Sequence, residues 1–260
     1  MTAGPAGGTD RDIALPPGWV LHRHGSVTST NDIAKDLAQQ GAAHGTVVLA
    51  EQQQAGRGRQ GRAWSSPPGN LYVSVLMRPT VKPSLVAQLS LVAALAMAEA
   101  LAGFVPGGAV RVKWPNDVLV DDAKISGLLL ESAGADGERV EWVVIGSGVN
   151  IVSHPALAER PTVALGDLGA RDATPASVLE AYLARLNILV DRWGADGFDA
   201  IRPHWLDWAA GVGSPVRVGH GEQSIAGRFV DLDGTGALIL GLPDGGRRTI
   251  AAGDLVLAGG

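Results

Sequence analysis

The chain has 260 residues, of which 46 % are hydrophobic and 18 % are charged, and its formal net charge is −5 at pH 7. This composition supports a sizeable core and excludes wholesale disorder, while the negative charge argues against a protein whose main task is to grip nucleic-acid phosphates. The chain has no cysteine, which excludes disulfides, thiolate metal sites and an enzyme-bound thioester.

The N-terminal part predicts a tail followed by the first elements of a mixed α/β body. Residues 1–17 are rich in Gly, Pro and Ala and lack the basic start and apolar run of a signal peptide, so they are predicted to form a flexible tail. Gly18 to Val27 is predicted to be an opening strand. Asn31 to Gln40 has apolar residues at helical spacing, and strands are predicted at 45–53 and 70–79.

The middle of the chain predicts a buried helix and several short strands. Pro83 to Ala102 is apolar almost all round, which is typical of a helix that packs centrally. The uncharged stretch between Lys82 and Glu99 is shorter than the roughly 20 apolar residues that a membrane span needs. The elements predicted after it are three short strands within 109–132, a buried strand at 140–151 and two helices between Pro175 and Ala210.

The pattern changes again near Gly213. From there, short β runs alternate with turns rich in Gly and Asp, such as DLDGTG and LPDGG. This alternation is typical of a small β-barrel appended to a larger domain. The predicted organisation is therefore a tail at 1–17, a mixed α/β domain at 18–212 and a small barrel at 213–260.

The segment AGRGRQGRAW (55–64) concentrates positive charge on a flexible backbone, because Arg57, Arg59 and Arg62 are interleaved with glycines. Glycines let backbone amides approach a ligand closely, and arginines bind carboxylates and phosphates. Two other interpretations stay open for this segment alone. It could be a solvated surface turn, or an Arg-Gly nucleic-acid-binding module, although such modules are usually repeated and rich in aromatic residues.

Five motifs narrow the choice, and they occur in this order: STN (29–31), EQQQAGRGRQGRAW (51–64), KWPND (113–117), KISGLLLE (124–131) and GSGVN (146–150). Together with the C-terminal β pattern they resemble the biotin protein ligase family, from about Gly18 to the C-terminus. The resemblance implies an α+β fold. Its mixed sheet with flanking helices would resemble the class II aminoacyl-tRNA synthetase/biotin synthetase catalytic fold, and an Src-homology-3-like barrel would follow it. It also implies activation of biotin by ATP to biotinyl-5′-AMP, followed by transfer to a lysine of a biotin carboxyl carrier domain.

The resemblance places a polar group of side chains around the ring of biotin. Residues of the types Ser, Thr and Asn before a helix are also the usual capping signal. The ureido ring, however, needs both hydrogen-bond donors and acceptors, which these side chains supply. The biotin-binding residues implied by the resemblance are Ser29, Thr30, Asn31, Gln53, Gly56, Arg57, Gly58, Arg59, Lys124 and Gly127.

A second group is implied for ATP and for catalysis. Fixed cations must cancel the repulsion between the biotin carboxylate and the triphosphate, and the catalytic residues implied are Lys124, Arg57 and Arg59. Lys124 opens an apolar strand, and its replacement is expected to leave the fold intact, because an exposed-end lysine adds little stability. Trp64 is predicted to stack on adenine, with core filling as the alternative. The ATP-binding residues implied are Arg59, Arg62, Trp64, Lys113, Asn116, Asp117, Lys124 and Asn150.

The resemblance also implies the ligands that the protein needs. These are ATP with Mg²⁺, and biotin as a substrate, without a tightly bound prosthetic group. No dedicated protein metal site is expected, since the six histidines show no metal-ligand spacing. Mg²⁺ is expected to bind through the phosphates, with Asp117 as a candidate to orient a Mg²⁺-bound water or an arginine.

Two alternative functions must be distinguished from biotin ligation. A lipoate ligase of the same superfamily would need an apolar pocket for a dithiolane, and a group of Ser, Thr, Asn and Gln side chains suits it poorly. A nucleic-acid-binding module is disfavoured by the acidic charge. The expected partners are biotin carboxyl carrier domains of biotin-dependent carboxylases. No DNA, no membrane and no N-terminal DNA-binding domain are expected, and the protein is predicted to be cytoplasmic and a monomer or weak homodimer.

Overall fold

The first sheet of the protein has seven strands, of which β1 and β2 are parallel and all other neighbouring pairs are antiparallel. This architecture comes from a computed structural model, which describes residues 13–135, 139–156, 161–219 and 224–257. Residues 1–12 of the predicted tail lie outside this part. The strands are β1 (Val20–Val27), β2 (Thr46–Gln53), β3 (Leu71–Met77), β4 (Val110–Lys113), β5 (Asp117–Val120), β6 (Ala123–Ala135) and β7 (Val140–Val149), in the spatial order β1-β2-β3-β7-β6-β5-β4.

Helices cover both faces of this sheet. They are α1 (Thr30–Gln39), α2 (Ala87–Ala102), α3 (Pro175–Asp196) and α4 (Arg202–Trp208). Side chains alternate across a strand, so β3 contributes Val73 and Val75 to the large core with α2 and α3, and Leu76 to a smaller core under α1. A strand that is buried on both faces explains the apolar run in the sequence, and the predicted α+β class is confirmed.

Helix α2 lies in the middle of the core. Together with the short 3₁₀ turn before it, Pro83–Ala102 is the one helix in the described residues that is long and apolar enough to cross a membrane. However, 72 % of its most apolar stretch is buried inside the protein. Its polar Gln88 is also satisfied internally: Nε2 donates to the Gly234 carbonyl at 2.9 Å, and Oε1 accepts from Trp193 Nε1 at 2.7 Å. The predicted central packing of this helix is therefore confirmed.

A second, five-stranded antiparallel sheet follows, and its turns reach into the first body. Trp114 Nε1 donates to the Gly236 carbonyl at 3.1 Å, and Phe229 packs against Trp205 at a ring-centroid distance of 6.5 Å. The two sheets therefore share one core. The strands are β8 (Pro215–Val218), β9 (Ile225–Leu232), β10 (Leu238–Gly241), β11 (Arg247–Ile250) and β12 (Leu255–Leu257), in the order β11-β10-β9-β8-β12.

Candidate active site

The five sequence motifs meet at two adjoining chambers over the centre of the first sheet. The first chamber has a volume of about 80 Å³ and the second of about 710 Å³. Among the predicted residues, those lining the first are Ser29, Thr30, Asn31, Gln53, Arg57, Gly58, Arg59, Arg62, Trp64, Asn116, Asp117, Lys124 and Gly127. Gly56 and Asn150 line the second chamber, and Lys113 lies behind Asp117. The structure thus brings the predicted residues together.

The polar end of the first chamber is built where α1 begins. Ser29 is the N-cap of α1, but its side chain makes no capping hydrogen bond, so the capping alternative does not account for its hydroxyl. The backbone N–H and the hydroxyl of Thr30 both donate to Gln53 Oε1, at 2.9 and 3.2 Å. Gln53 Nε2 then donates to Ser66 Oγ at 3.0 Å. The chamber thus presents hydroxyl and amide groups whose geometry is fixed by neighbours.

Glycines of β7 form the floor under these side chains. A Cβ atom at Gly146 would lie 2.1 Å from Asn31 Oδ1, and a Cβ atom at Gly148 would lie 2.5 Å from Trp64 Nε1. Asn31 and Trp64 can therefore lie directly on the backbone of the strand only because neither glycine has a side chain. The two glycines of the GSGVN motif thus shape the chamber because they have no side chains.

The first half of the Arg-Gly loop is fixed to α1. Gly58 N donates to the Arg62 carbonyl at 2.7 Å, which closes the loop on itself. Arg57 donates from its two terminal nitrogens to the two carboxylate oxygens of Asp32, at 3.0 and 2.5 Å. The hydrogen bonds from Arg57, with a further contribution from Lys35, lower the pKa of Asp32 to about 2. Asp32 therefore stays ionised and holds Arg57 at the edge of the chamber.

The second half of the loop is held by the C-terminal sheet. Arg59 Nη1 lies 3.3 Å from Asp254 Oδ1, 3.2 Å from the Gly253 carbonyl and 3.3 Å from Asn116 Oδ1. Arg62 also pairs with Asp254, through Oδ2. A loop between β11 and β12 thus orients two cations that face the chamber.

Lys124 lies at the junction of the two chambers and is buried. Its ammonium pairs with Asp117 Oδ1, while Lys113 Nζ is 3.4 Å from Asp117 Oδ2. The expectation of an exposed-end lysine is wrong, because only 7 % of Lys124 is exposed. Its backbone is bridged to Thr162, and its ammonium lies 5.3 Å from the ring centroid of Trp64, within range of a cation–π interaction.

Trp64 lines both chambers and therefore lies between them. Its indole Nε1 is buried against β7, and within the described part of the chain it has no hydrogen-bond partner. Asn150, in contrast, uses its side-chain amide to donate to the Val163 carbonyl at 3.1 Å. This bond fixes the segment that follows β7 beside the second chamber.

Within the described residues, no group of three or more His, Asp and Glu side chains is placed to hold a metal ion. Asp117 is the carboxylate nearest to the junction of the chambers, and each of its oxygens faces a lysine ammonium. It is therefore arranged to orient these two cations.

Several residues of the site were missed in the sequence analysis. Gly146 and Gly148 lay within a motif that could have revealed them. Glu131 is the last residue of the KISGLLLE motif, but the motif does not indicate its partner Asn31. The others gave no local signal, because their partners are far away along the chain; Asp254, for example, is 195 residues from Arg59. The missed residues are Asp32, Ser74, Glu131, Gly146, Gly148 and Asp254.

Comparisons with known families match both parts of the chain. Residues 25–150 match the biotin/lipoate A/B protein ligase family, and residues 211–257 match the biotin protein ligase C-terminal domain. The chain is 40 % identical over 238 residues to the biotin–[acetyl-CoA-carboxylase] ligase of Paracoccus denitrificans, covering 89 % of this chain and 98 % of that protein. It is 31 % identical to the corresponding ligase of Mycobacterium tuberculosis, covering 95 % and 98 %.

The fold of the chain is also similar to solved structures of biotin protein ligases. The chain is similar to the biotin protein ligase of Aquifex aeolicus in complex with biotin and ATP, with a TM-score of 0.77, 27 % identity and coverage of 92 % of this chain and 98 % of that one. It is also similar to the biotin protein ligase of Leishmania major in complex with biotinyl-5-AMP, with a TM-score of 0.63, 27 % identity and coverage of 91 % and 100 %.

Proposed function

Because the chain belongs to the biotin protein ligase family, we propose that its two chambers hold biotin and ATP on either side of Trp64, with the reacting groups meeting at Lys124. The protein is a biotin–[acetyl-CoA-carboxylase] ligase. In its reaction the biotin carboxylate attacks the α-phosphorus of ATP and pyrophosphate leaves, giving biotinyl-5′-AMP. The amine of a carrier lysine then attacks the acyl carbon and AMP leaves.

The head group of biotin fits the polar end of the first chamber. Ser29, Thr30, Asn31 and Gln53 line this end, and their hydroxyl and amide groups offer both donors and acceptors to a ureido ring. An apolar dithiolane at the same place would leave unpaired the donors and acceptors that these groups still have after their internal hydrogen bonds, which costs about 1–3 kcal/mol for each. This polarity supports biotin over lipoate as the substrate.

The cations at the junction support the first chemical step. A carboxylate must approach a triphosphate, and Lys124, Arg59 and Arg62 face the space where the two anions would meet. Asp117 and Asp254 already hold these cations in place, so little reorganisation is needed when the negative charge shifts towards the leaving pyrophosphate. Positioning the two substrates in line supplies the rest of the rate enhancement.

The second chamber is assigned to the nucleotide. Trp64 lines this chamber and offers an indole face for stacking on adenine. Mg²⁺ would neutralise phosphate charge, and it is proposed to be bound by the triphosphate oxygens and water, since this metal prefers such ligands. Asp117, with its two lysine partners, would orient the hydrated ion and not replace its waters.

The partners follow from the second step. We assign the acceptor to biotin carboxyl carrier domains of biotin-dependent carboxylases, including acetyl-CoA carboxylase. The ligase is proposed to act in the cytoplasm as a monomer or weak homodimer, without binding DNA. The division into a catalytic domain at 18–212 and a small C-terminal domain at 213–260 is likewise a proposal, and the second domain would contribute Asp254 to the site.

The main support for this proposal is that the polar first chamber is lined by the buried Lys124 and by Arg59 and Arg62 of the Arg-Gly loop. It is tested by exchange of labelled pyrophosphate into ATP, with Mg²⁺ and with biotin, lipoate or an amino acid as the carboxylate. We expect exchange with biotin. Exchange with lipoate should be at least about a hundredfold slower, since two or more donors or acceptors at the polar end would lack the partner that a ureido ring supplies. Equal exchange with lipoate, or exchange without any added carboxylate, would overturn the substrate assignment.

A further inference from the structure

Glu131 was not among the site residues predicted from the sequence. Its carboxylate contacts the side chain of Asn31 at the polar end of the first chamber. We infer that Glu131, on β6, is a positioning residue that fixes the orientation of the Asn31 amide, and through it the order of donors and acceptors offered to biotin. The inference rests on the proposed function, because it names how the biotin chamber is organised. Glu131 itself is not among the residues that line the chamber.

The amide of Asn31 is held at both of its ends. Its Nδ2 donates to Glu131 Oε2 at 2.7 Å, and its Oδ1 accepts from Ser74 Oγ at 2.6 Å. Ser74 is completely buried and Asn31 is only 4 % exposed, so water does not compete for the bond between them. The side chain also rests on Gly146, which leaves it no room to move towards the sheet.

The charge of Glu131 determines the orientation of the Asn31 amide group. An ionised carboxylate can only accept hydrogen bonds, so it selects the NH₂ end of the Asn31 amide and turns the carbonyl end towards Ser74. The other oxygen of Glu131 accepts from Lys35 Nζ at 2.8 Å, so the carboxylate is also paired with a cation. A neutral amide at position 131 could donate as well as accept, and it would tolerate either orientation of Asn31.

This arrangement matters for recognition of the ureido ring. After its bonds to Glu131 and Ser74, Asn31 still has one N–H and one carbonyl lone pair. A flipped amide would present these two groups in exchanged positions, so a ligand donor would meet a donor. Loss of the negative charge at 131 would therefore weaken biotin binding while leaving the cations at Lys124 in place.

The test uses Glu131→Gln, which keeps the shape of the side chain and removes its charge. In the pyrophosphate-exchange assay we expect the KM for biotin to rise about tenfold, with the KM for ATP and the rate at saturating biotin changed less than about twofold. The matched control is Glu141→Gln, which removes an exposed carboxylate from the neighbouring strand β7 and is expected to change none of these constants.

A double-mutant cycle with Asn31→Ala separates positioning from a general effect on stability. If Glu131 acts through Asn31, Glu131→Gln should raise the KM for biotin less than about twofold in the Asn31→Ala background. Additive effects, or equal rises in both KM values, would overturn the inference. An inactive wild-type protein would instead contradict the proposed function, so the two failures are distinguishable.

Discussion

At the scale of single residues, the site depends on charges that are paired before any ligand arrives. Asp32 holds Arg57, Asp117 holds Lys124, and Asp254 holds Arg59. Pairing orients each cation and lowers the cost of keeping it partly buried. These cations are therefore preorganised for an anionic ligand, which is the condition for electrostatic catalysis.

Replacing Lys124 with alanine is expected to abolish biotin-dependent pyrophosphate exchange. Of the two cations that line both chambers, Lys124 and Arg62, the change removes the buried one, which faces the reacting groups. Because it also removes the ion pair between Lys124 and the buried Asp117, the free energy of unfolding should fall by about 3 kcal/mol. Activity is therefore measured at a temperature where circular dichroism shows a folded variant.

The control for this experiment is Lys82→Ala, which removes an exposed lysine ahead of α2 and should alter neither activity nor stability. Near-normal exchange by a folded Lys124→Ala variant would remove this lysine from the catalytic residues.

The ion pair between Asp32 and Arg57 gives a prediction about pH. The pKa of Asp32 is lowered to about 2, from an unfolded value of about 3.9. A depressed folded pKa means that the pair stabilises the protein fully above about pH 4 and loses this contribution as the pH falls through about 2. Carboxyl chemical shifts followed by NMR should give a midpoint near 2 for Asp32. A midpoint near 3.9 would show that Arg57 does not hold this carboxylate.

At the scale of elements, the Arg-Gly loop and the turns of the second sheet connect parts that are distant in sequence. The loop between β2 and β3 contacts α1 through Arg57 and the β11–β12 connection through Arg59. The types of most elements could be predicted from periodicity and turn residues. Contacts such as Arg59–Asp254 could not, because nothing local in either segment indicates its partner.

The loop is expected to retain the reaction intermediate as well as help to form it. Arg59→Gly removes contacts to Asn116, Gly253 and Asp254 that tie the loop across the chamber. We expect the variant still to make biotinyl-AMP but to hold it about ten- to a hundredfold less tightly, since one charge-assisted bond contributes roughly 1.5–3 kcal/mol. Biotin should then appear on an unrelated bystander protein, detected by blotting.

Arg171→Gly, a change at an exposed arginine outside the two chambers, is the control and should label no bystander. If Arg59→Gly makes the adenylate and retains it as tightly as the wild type, the loop serves synthesis alone.

The turn between β9 and β10 is expected to be intolerant of a side chain at Gly236. This glycine has a φ of 87°, and a Cβ atom there would lie 2.7 Å from Cδ1 of the buried Leu91. Gly236→Ala should therefore cost backbone strain of about 1–2 kcal/mol and a further 1–3 kcal/mol for overpacking the shared core. Urea unfolding measures the sum.

Gly245→Ala separates the two effects, because Gly245 has a similar φ of 85° and open space around its Cβ position. The Gly245→Ala variant should lose only the stability that corresponds to the backbone strain. Equal losses of stability in the two variants would mean that the turn does not pack against Leu91 as described.

At the scale of the whole molecule, the strand order explains why five separated motifs form one site. Strand β7 lies between β3 and β6, so the GSGVN motif on β7 comes next to KISGLLLE on β6 and beneath the STN residues at the start of α1. The motifs and their family resemblance were readable in the sequence. The strand order, the burial of Lys124 and the role of Glu131 beside Asn31 were not, since each depends on contacts across the sheet.

The most direct test of the account follows the biotinyl group through both steps. The protein is incubated with biotin, ATP and Mg²⁺, separated from free nucleotide, and then mixed with a biotin carboxyl carrier domain or with its variant lacking the acceptor lysine. Mass spectrometry is expected to find one biotinyl group on the acceptor lysine of the first domain and none on the second, with AMP released in equal amount. An unmodified carrier despite bound biotinyl-AMP, or labelling that does not depend on the acceptor lysine, would contradict the account.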